Sequence, residues 1–249
     1  LSAPFKVVIP ARYGSSRLPG KPLVDIGGRP LVQRVWERAQ ASGAGEVVIA
    51  TDDRRVAETC VGFGAEVAMT DHRCRSGSDR IAEVVDQRGW GAETIIVNLQ
   101  GDEPCMPPEL IDQLAGDLSE RDEADVATLA YPIRTAEALF DPHVVKVVTD
   151  RDGFALYFSR APIPWHRDDF LARQKRLPEG VDFLRHIGLY AYRAGFLAGY
   201  VAWTPAPLEL AESLEQLRVL WHGGRIHVSM AAVEPGPGVD TIDDVRLVA

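Results

Sequence analysis

Short runs of β-branched residues alternate with helix-periodic stretches through the first half of the chain. No other feature constrains the fold as strongly. Val7-Val8-Ile9, Val47-Val48-Ile49-Ala50, Val67-Ala68-Met69 and Thr94-Ile95-Ile96-Val97 are apolar runs with turn residues nearby, and each predicts a buried strand. Between them, Leu31, Val32, Val35, Trp36 and Ala39 recur at helical spacing. Ile81, Ala82, Val84 and Val85 do the same, with Ser76-Gly77-Ser78 as a cap. Alternating βαβ units predict an α/β fold with a doubly wound, mostly parallel sheet. Such sheets bind ligands at the carboxyl ends of their strands.

The second half reads differently. Strands are expected over 125–133, 144–149, 153–158 and 187–192, with no full-length helix between some of them, so antiparallel pairing enters and the sheet is mixed. Helices are expected near 194–202 and 208–221, then a strand at 225–230 and a last helix from Thr241. With 249 residues, one α/β domain with an excursion is the simplest organisation.

The formal net charge of −9 argues against a general nucleic-acid binder, which needs basic surface. The longest uncharged stretch, 194–208, holds Pro205 and Pro207 and is too short to span a bilayer. No membrane partner is expected. Cys60, Cys74 and Cys105 are sparse and odd in number, which reads as free thiols in a reducing cytoplasm. His72 and Cys74 lack a second pair at zinc spacing.

The stretch "GSSRLPGKP", residues 14–22, follows the first strand. Five residues separate Gly14 from Gly20, and Pro22 stands where a P-loop needs a hydroxyl. Dinucleotide-fingerprint spacing is absent too. What is left is an extended loop with Arg12, Arg17, Lys21, Ser15 and Ser16, whose cations and backbone N–H groups suit a polyphosphate. The same loop also reads as a solvated basic turn. In "NLQGDEP", Asn98 ends a strand and Gly101 turns the chain so that Asp102 stands at its carboxyl end. A carboxylate beside bound polyphosphate calls for a bridging hard cation, Mg²⁺, although an Asp here also serves as a cap. Asp240 in "GVDT" reads equally as a helix start. Asp243 and Asp244 read as helix-surface charges, and Arg80 alone as a surface helix residue.

The segments "IPARYGSSRLPGKPL", "ATDD", "SGSDR", "NLQGDEP", "YFSRAPIPW", "RHIGLYAYR", "LEQLR" and "GVDT" occur in this order along nearly the whole chain. Together they resemble the CMP-Kdo synthetases, cytidylyltransferases that activate 3-deoxy-manno-octulosonate (Kdo) with CTP. Ser78 stands where that family usually has Thr, and 71–75 are less typical of it. The resemblance implies a nucleotide-diphospho-sugar-transferase-like fold. Residues 1–125 would mainly bind nucleotide, 126–233 would form the sugar-acid pocket and dimer contacts, and 234–249 would return to the metal site.

It also implies roles. Arg12 and Lys21 would grip the phosphates as catalytic groups, with Asp102 and Asp240 as catalytic magnesium ligands. Ala11, Arg12, Ser15, Lys21, Ser78, Arg80 and Gln100 would bind the nucleotide. Arg160, His186, Tyr190, Glu215 and Gln216 would line the Kdo pocket, and Arg185 would be structural. The reaction implied is attack of the anomeric 2-hydroxyl of Kdo on the α-phosphorus of CTP, releasing pyrophosphate for lipopolysaccharide biosynthesis. A cytoplasmic homodimer with CTP and Kdo as small-molecule partners is expected. The alternatives are an 8-amino-Kdo or sialate-like acceptor, or a glycosyltransferase of similar architecture. Those usually hold metal with Asp-x-Asp, where this chain has Asp102-Glu103-Pro104.

Overall fold

Along Phe5–Pro10, Val7 and Ile9 enter one apolar cluster and Val8 enters another. The same division separates Val47 and Ile49 from Val48, and Ile95 and Val97 from Ile96. Successive side chains on a strand point to opposite faces, so a run apolar at every position is buried on both. The computed structural model describes residues 4–14, 18–74, 76–171 and 176–249. Its strands are β1 (Phe5–Pro10), β2 (Glu46–Thr51), β3 (Glu66–Met69), β4 (Ile95–Asn98), β5 (Val126–Pro132), β6 (Lys146–Thr149), β7 (Ala155–Ser159), β8 (Leu184–Arg193) and β9 (Ile226–Met230). Every run read as a strand from the sequence overlaps one of these.

The described strands form one sheet in the order β3-β2-β1-β4-β8-β5-β9, with β6 and β7 attached beside β8. Pairing is parallel from β3 to β4 and antiparallel where β8 meets β4 and β5. β9 returns parallel to β5. This is the mixed α/β sheet expected.

The helices are α1 (Leu31–Gln40), α2 (Arg54–Gly62), α3 (Gly77–Arg88), α4 (Pro108–Ser119), α5 (Ala136–Phe140), α6 (Arg167–Leu171), α7 (Ala194–Tyr200), α8 (Pro207–Glu212), α9 (Gln216–Trp221) and α10 (Ile242–Val248). On one face of the sheet, Leu31, Val32 and Val35 of α1 pack with Leu110, Ile111 and Leu114 of α4. On the other, Ile81 and Val84 of α3 pack with Leu197 of α7 and Leu217 of α9. Ser76 caps α3 in a capping box with Asp79. Among the described residues, no helix is long and apolar enough to cross a membrane.

One helix expectation is corrected. The stretch 208–221 is not continuous: α8 ends at Ser213, whose φ of 52° is left-handed, and α9 starts afresh. Its apolar residues do not share a face. Leu208 and Leu210 are 39% and 68% exposed, whereas Leu214 and Leu217 are buried. Glu209 turns inward instead and accepts from Arg218 Nε at 2.8 Å and from the Ala206 N–H at 3.0 Å.

Candidate active site

β1 and β4 lie side by side, but the chain runs from β1 toward β2 and from β4 toward the opposite half of the sheet. A crevice opens at such a switch point, beyond the carboxyl ends of the strands. Here it is a cleft of about 290 Å³. Ala11 and Arg12 line it from the end of β1, Lys21 from a short 3-10 helix, and Arg80 from α3. Gln100 and Asp102 line it from the end of β4, and Asp240 from the turn before α10. Gly101 is required here because a Cβ at this position would lie 2.6 Å from the Pro10 carbonyl oxygen.

Asp102 and Asp240 are far apart in sequence yet meet at one atom. Lys21 Nζ donates to Asp102 Oδ2 at 2.7 Å and to Asp240 Oδ1 at 2.9 Å. The backbone builds this meeting, since the Val239 N–H donates to the Asp102 carbonyl at 2.8 Å. Asp244 then fixes Asp240, accepting from its N–H at 2.9 Å while closing a capping box with Thr241. Asp244 is therefore more than a surface charge.

Two carboxylates aimed at one ammonium mark a position for a cation, and their donors are all oxygen, as magnesium prefers. No group of three or more His, Cys, Asp or Glu among the described residues is arranged to hold a metal. An ion between Asp102 and Asp240 would therefore draw its other ligands from phosphate oxygens and water, the usual way magnesium is held. The residues fit the ion. Ser15 and Arg17 lie outside the described residues.

A second cavity of about 180 Å³ shares Gly77, Gln100 and Glu215 with the first. Ser78, Tyr190, Glu215 and Gln216 line it as the sequence implied, joined by Asn98, Tyr192 and Tyr200. Ser78 Oγ donates to Glu215 Oε2 at 3.5 Å, and Tyr200 Oη donates to the Glu215 carbonyl at 3.1 Å. Burial raises the Glu215 carboxyl and the Tyr190 phenol above their ordinary ranges. Of the two added tyrosines, Tyr192 is legible in "RHIGLYAYR", where it falls on the same strand face as Tyr190.

His186 lines a third cavity, of about 340 Å³, with Glu103, Arg185 and the 235–238 turn. Burial pushes the imidazole down to about 3, and its Nε2 lies 2.9 Å from Thr128 Oγ1. Below its ordinary value of 6.5 the unfolded chain takes up a proton that the folded one refuses until about 3. Stability is thus complete above that ordinary value and falls as pH drops through the window. His186→Gln is expected to shallow this fall between about pH 6.5 and 4, measured as urea-unfolding free energies over a pH series. An unchanged slope would contradict it.

Glu103, passed over in the sequence, is held up at about 7, first by burial and then by Asp102 and Asp240. Arg160 does not reach these cavities among the described residues. Its Nε donates to the Glu212 carbonyl at 2.7 Å and its Nη1 to the Pro142 carbonyl at 2.9 Å.

The cytidylyltransferase family model matches residues 6–226. The chain belongs to the cytidylyltransferase family. A 3-deoxy-manno-octulosonate cytidylyltransferase of Pseudomonas fluorescens is 57% identical over 248 residues, covering 100% of this chain and 98% of its own. That of Idiomarina loihiensis is 55% identical over 242 residues, covering 97% and 96%. A solved structure described as CMP:2-keto-3-deoxy-manno-octonic acid synthetase complexed with CTP matches at a TM-score of 0.89 and 42% identity, covering 99% of this chain and 97% of that one.

In this cytidylyltransferase Arg80 is no surface residue. It is 3% exposed, donates to Asp52 Oδ2 at 2.9 Å and bonds Thr70 Oγ1. Removing one partner of a buried pair strands the other charge. Arg80→Met is expected to cost about 3 kcal/mol and to lower Tm by roughly 6–12 °C, read by thermal melting. An unshifted Tm would show that Asp52 is adequately solvated.

Proposed function

We propose that the protein transfers CMP from CTP to the anomeric 2-hydroxyl of Kdo, giving CMP-Kdo and pyrophosphate. The observation that carries this reading is the convergence of Asp102 and Asp240 on one cationic centre in the switch-point cleft. The full-length identity to 3-deoxy-manno-octulosonate cytidylyltransferases supports the choice of CTP and Kdo. In-line transfer to phosphorus needs positioning and charge neutralisation more than covalent help.

Arg12 and Lys21 meet the β- and γ-phosphates and offset charge on the departing pyrophosphate. Gln100 and the Ala11 backbone face the nucleotide from the ends of β4 and β1. Tyr190, Glu215 and Gln216 offer hydroxyl, carboxylate and amide partners to the hydroxyls of the acceptor. Asp102 and Asp240 would hold magnesium. When bound, that ion supplies charge neutralisation at the α-phosphate and a lowered pKa for the attacking hydroxyl.

The protein acts in the cytoplasm in lipopolysaccharide biosynthesis, as a homodimer. Trp165 and Trp221, each 55% exposed, lie in the segment a minimal nucleotide fold does not need and support an interface there. Light scattering that returns the 27.3 kDa of one chain at micromolar concentration would contradict the dimer.

Pyrophosphate release tests the activity. CTP with Kdo and Mg²⁺ is expected to turn over, and ATP, GTP and UTP to turn over far more slowly. Comparable rates with a purine nucleotide would overturn the reading, and faster rates with 8-amino-Kdo or a sialate would change the acceptor.

A further inference from the structure

The second cavity offers hydroxyls, amides and one carboxylate, and no Arg, Lys or His among its described lining residues. It suits a polyol and repels an anion. A sugar acid also brings a carboxylate, and a carboxylate leaving water needs a cation, best a guanidinium fork. In the proposed acceptor this carboxylate is bonded to the carbon that bears the attacking hydroxyl. Its cation must therefore stand beside the α-phosphate, near Asp102.

Arg160 is engaged with the Glu212 and Pro142 carbonyls, and Lys21 with two carboxylates. Arg185 differs. It stands near the start of β8, paired with Tyr131 of β5 and Lys146 of β6, and lines the third cavity with Glu103, His143 and His186. Its guanidinium lies 5.9 Å from the Tyr131 ring centroid. Among the described residues the Arg185 side chain makes no hydrogen bond or ion pair. Glu103, which feels its charge, follows Asp102 directly in the chain. His186 of the third cavity and Tyr190 of the second stand next to each other, their rings 5.3 Å apart.

Given the sugar-acid acceptor proposed above, we infer that Arg185 receives its carboxylate in the third cavity while the polyol chain lies along Tyr190, Glu215 and Gln216. Arg185 is then a specificity-determining residue, not a structural one. It selects acids over neutral sugars and sets which face of the acceptor carbon meets the phosphate.

The test compares Kdo with its C1 carboxamide on the wild type, Arg185→Gln and Arg160→Gln. The quantities are KM for Kdo, KM for CTP and the inhibition constant of the carboxamide, with circular dichroism for folding. The wild type is expected to prefer Kdo about ten- to a hundredfold. Arg185→Gln should lose that preference with KM for CTP unchanged, and Arg160→Gln should keep it. A folded Arg185→Gln that retains the preference, or its loss in Arg160→Gln alone, overturns the inference. If Arg185→Gln does not fold, Arg185→Lys decides. It keeps the charge but not the fork, so KM for Kdo should rise several-fold, and an unchanged KM overturns the inference. A wild type that releases no pyrophosphate from CTP and Kdo fails the acceptor itself, a result distinct from any failure of Arg185.

Discussion

Asp102→Asn and Asp240→Asn are each expected to lower turnover by about three orders of magnitude, and the double variant to be little worse than either. Both carboxylates address one nitrogen, at 2.7 and 2.9 Å. An ion held there by either alone would lose a ligand and leave the triphosphate less compensated. Groups that act as a unit are non-additive. The variants should stay folded, because the carboxylates are 36% and 47% exposed and their pairing with Lys21 is screened by water. Initial rates of all three variants over a Mg²⁺ and Mn²⁺ titration decide the matter, with circular dichroism alongside. Partial recovery at high metal is expected. Losses that multiply, or full activity in folded Asp240→Asn, would show two carboxylates working apart.

Lys21→Ala is expected to slow turnover about a hundredfold, equivalent to about 3 kcal/mol of transition-state stabilisation. The Lys21 side chain is only 13% exposed and lines the switch-point cleft, where the proposed reaction would develop charge on pyrophosphate. Its contacts add a second expectation. Without nucleotide, the ammonium competes with any divalent ion for Asp102 and Asp240, so Lys21→Ala should bind Mn²⁺ more tightly than the wild type. Steady-state rates and a Mn²⁺ titration read the two effects separately. A near-normal rate in a folded variant would return residues 14–22 to a solvated basic turn.

The strands were legible because a continuous β-branched run leaves a chain few alternatives to burial on both faces. The loops after β1 and β4 were legible for the same reason, since their place at the strand ends follows from the alternation of elements. Helix α4 carries a legible helical period that the strand-based reading does not use: Leu110, Ile111, Leu114, Ala115 and Leu118 form one buried stripe behind Pro108. Helix α2 was less so, because it buries only Val56 and Cys60. The break at Ser213 was hidden, since spacing alone shows apolar residues but not that Glu209 displaces Leu208 and Leu210 from the interior.

By itself, the sequence determined the class of sheet, the position of the candidate anion-binding loop and the candidate groups Lys21, Asp102 and Asp240. Tertiary structure alone decided which charges meet. The Val239–Asp102 hydrogen bond carries Asp240 to Lys21, and Asp52 takes Arg80 into the interior. Backbone carbonyls engage Arg160 while Arg185 faces a cavity. The physical reason is that periodicity reports which face of an element is buried, a local property of the chain. A charge takes its role from its partners and its desolvation, and these are set by register and loop closure between segments distant in sequence.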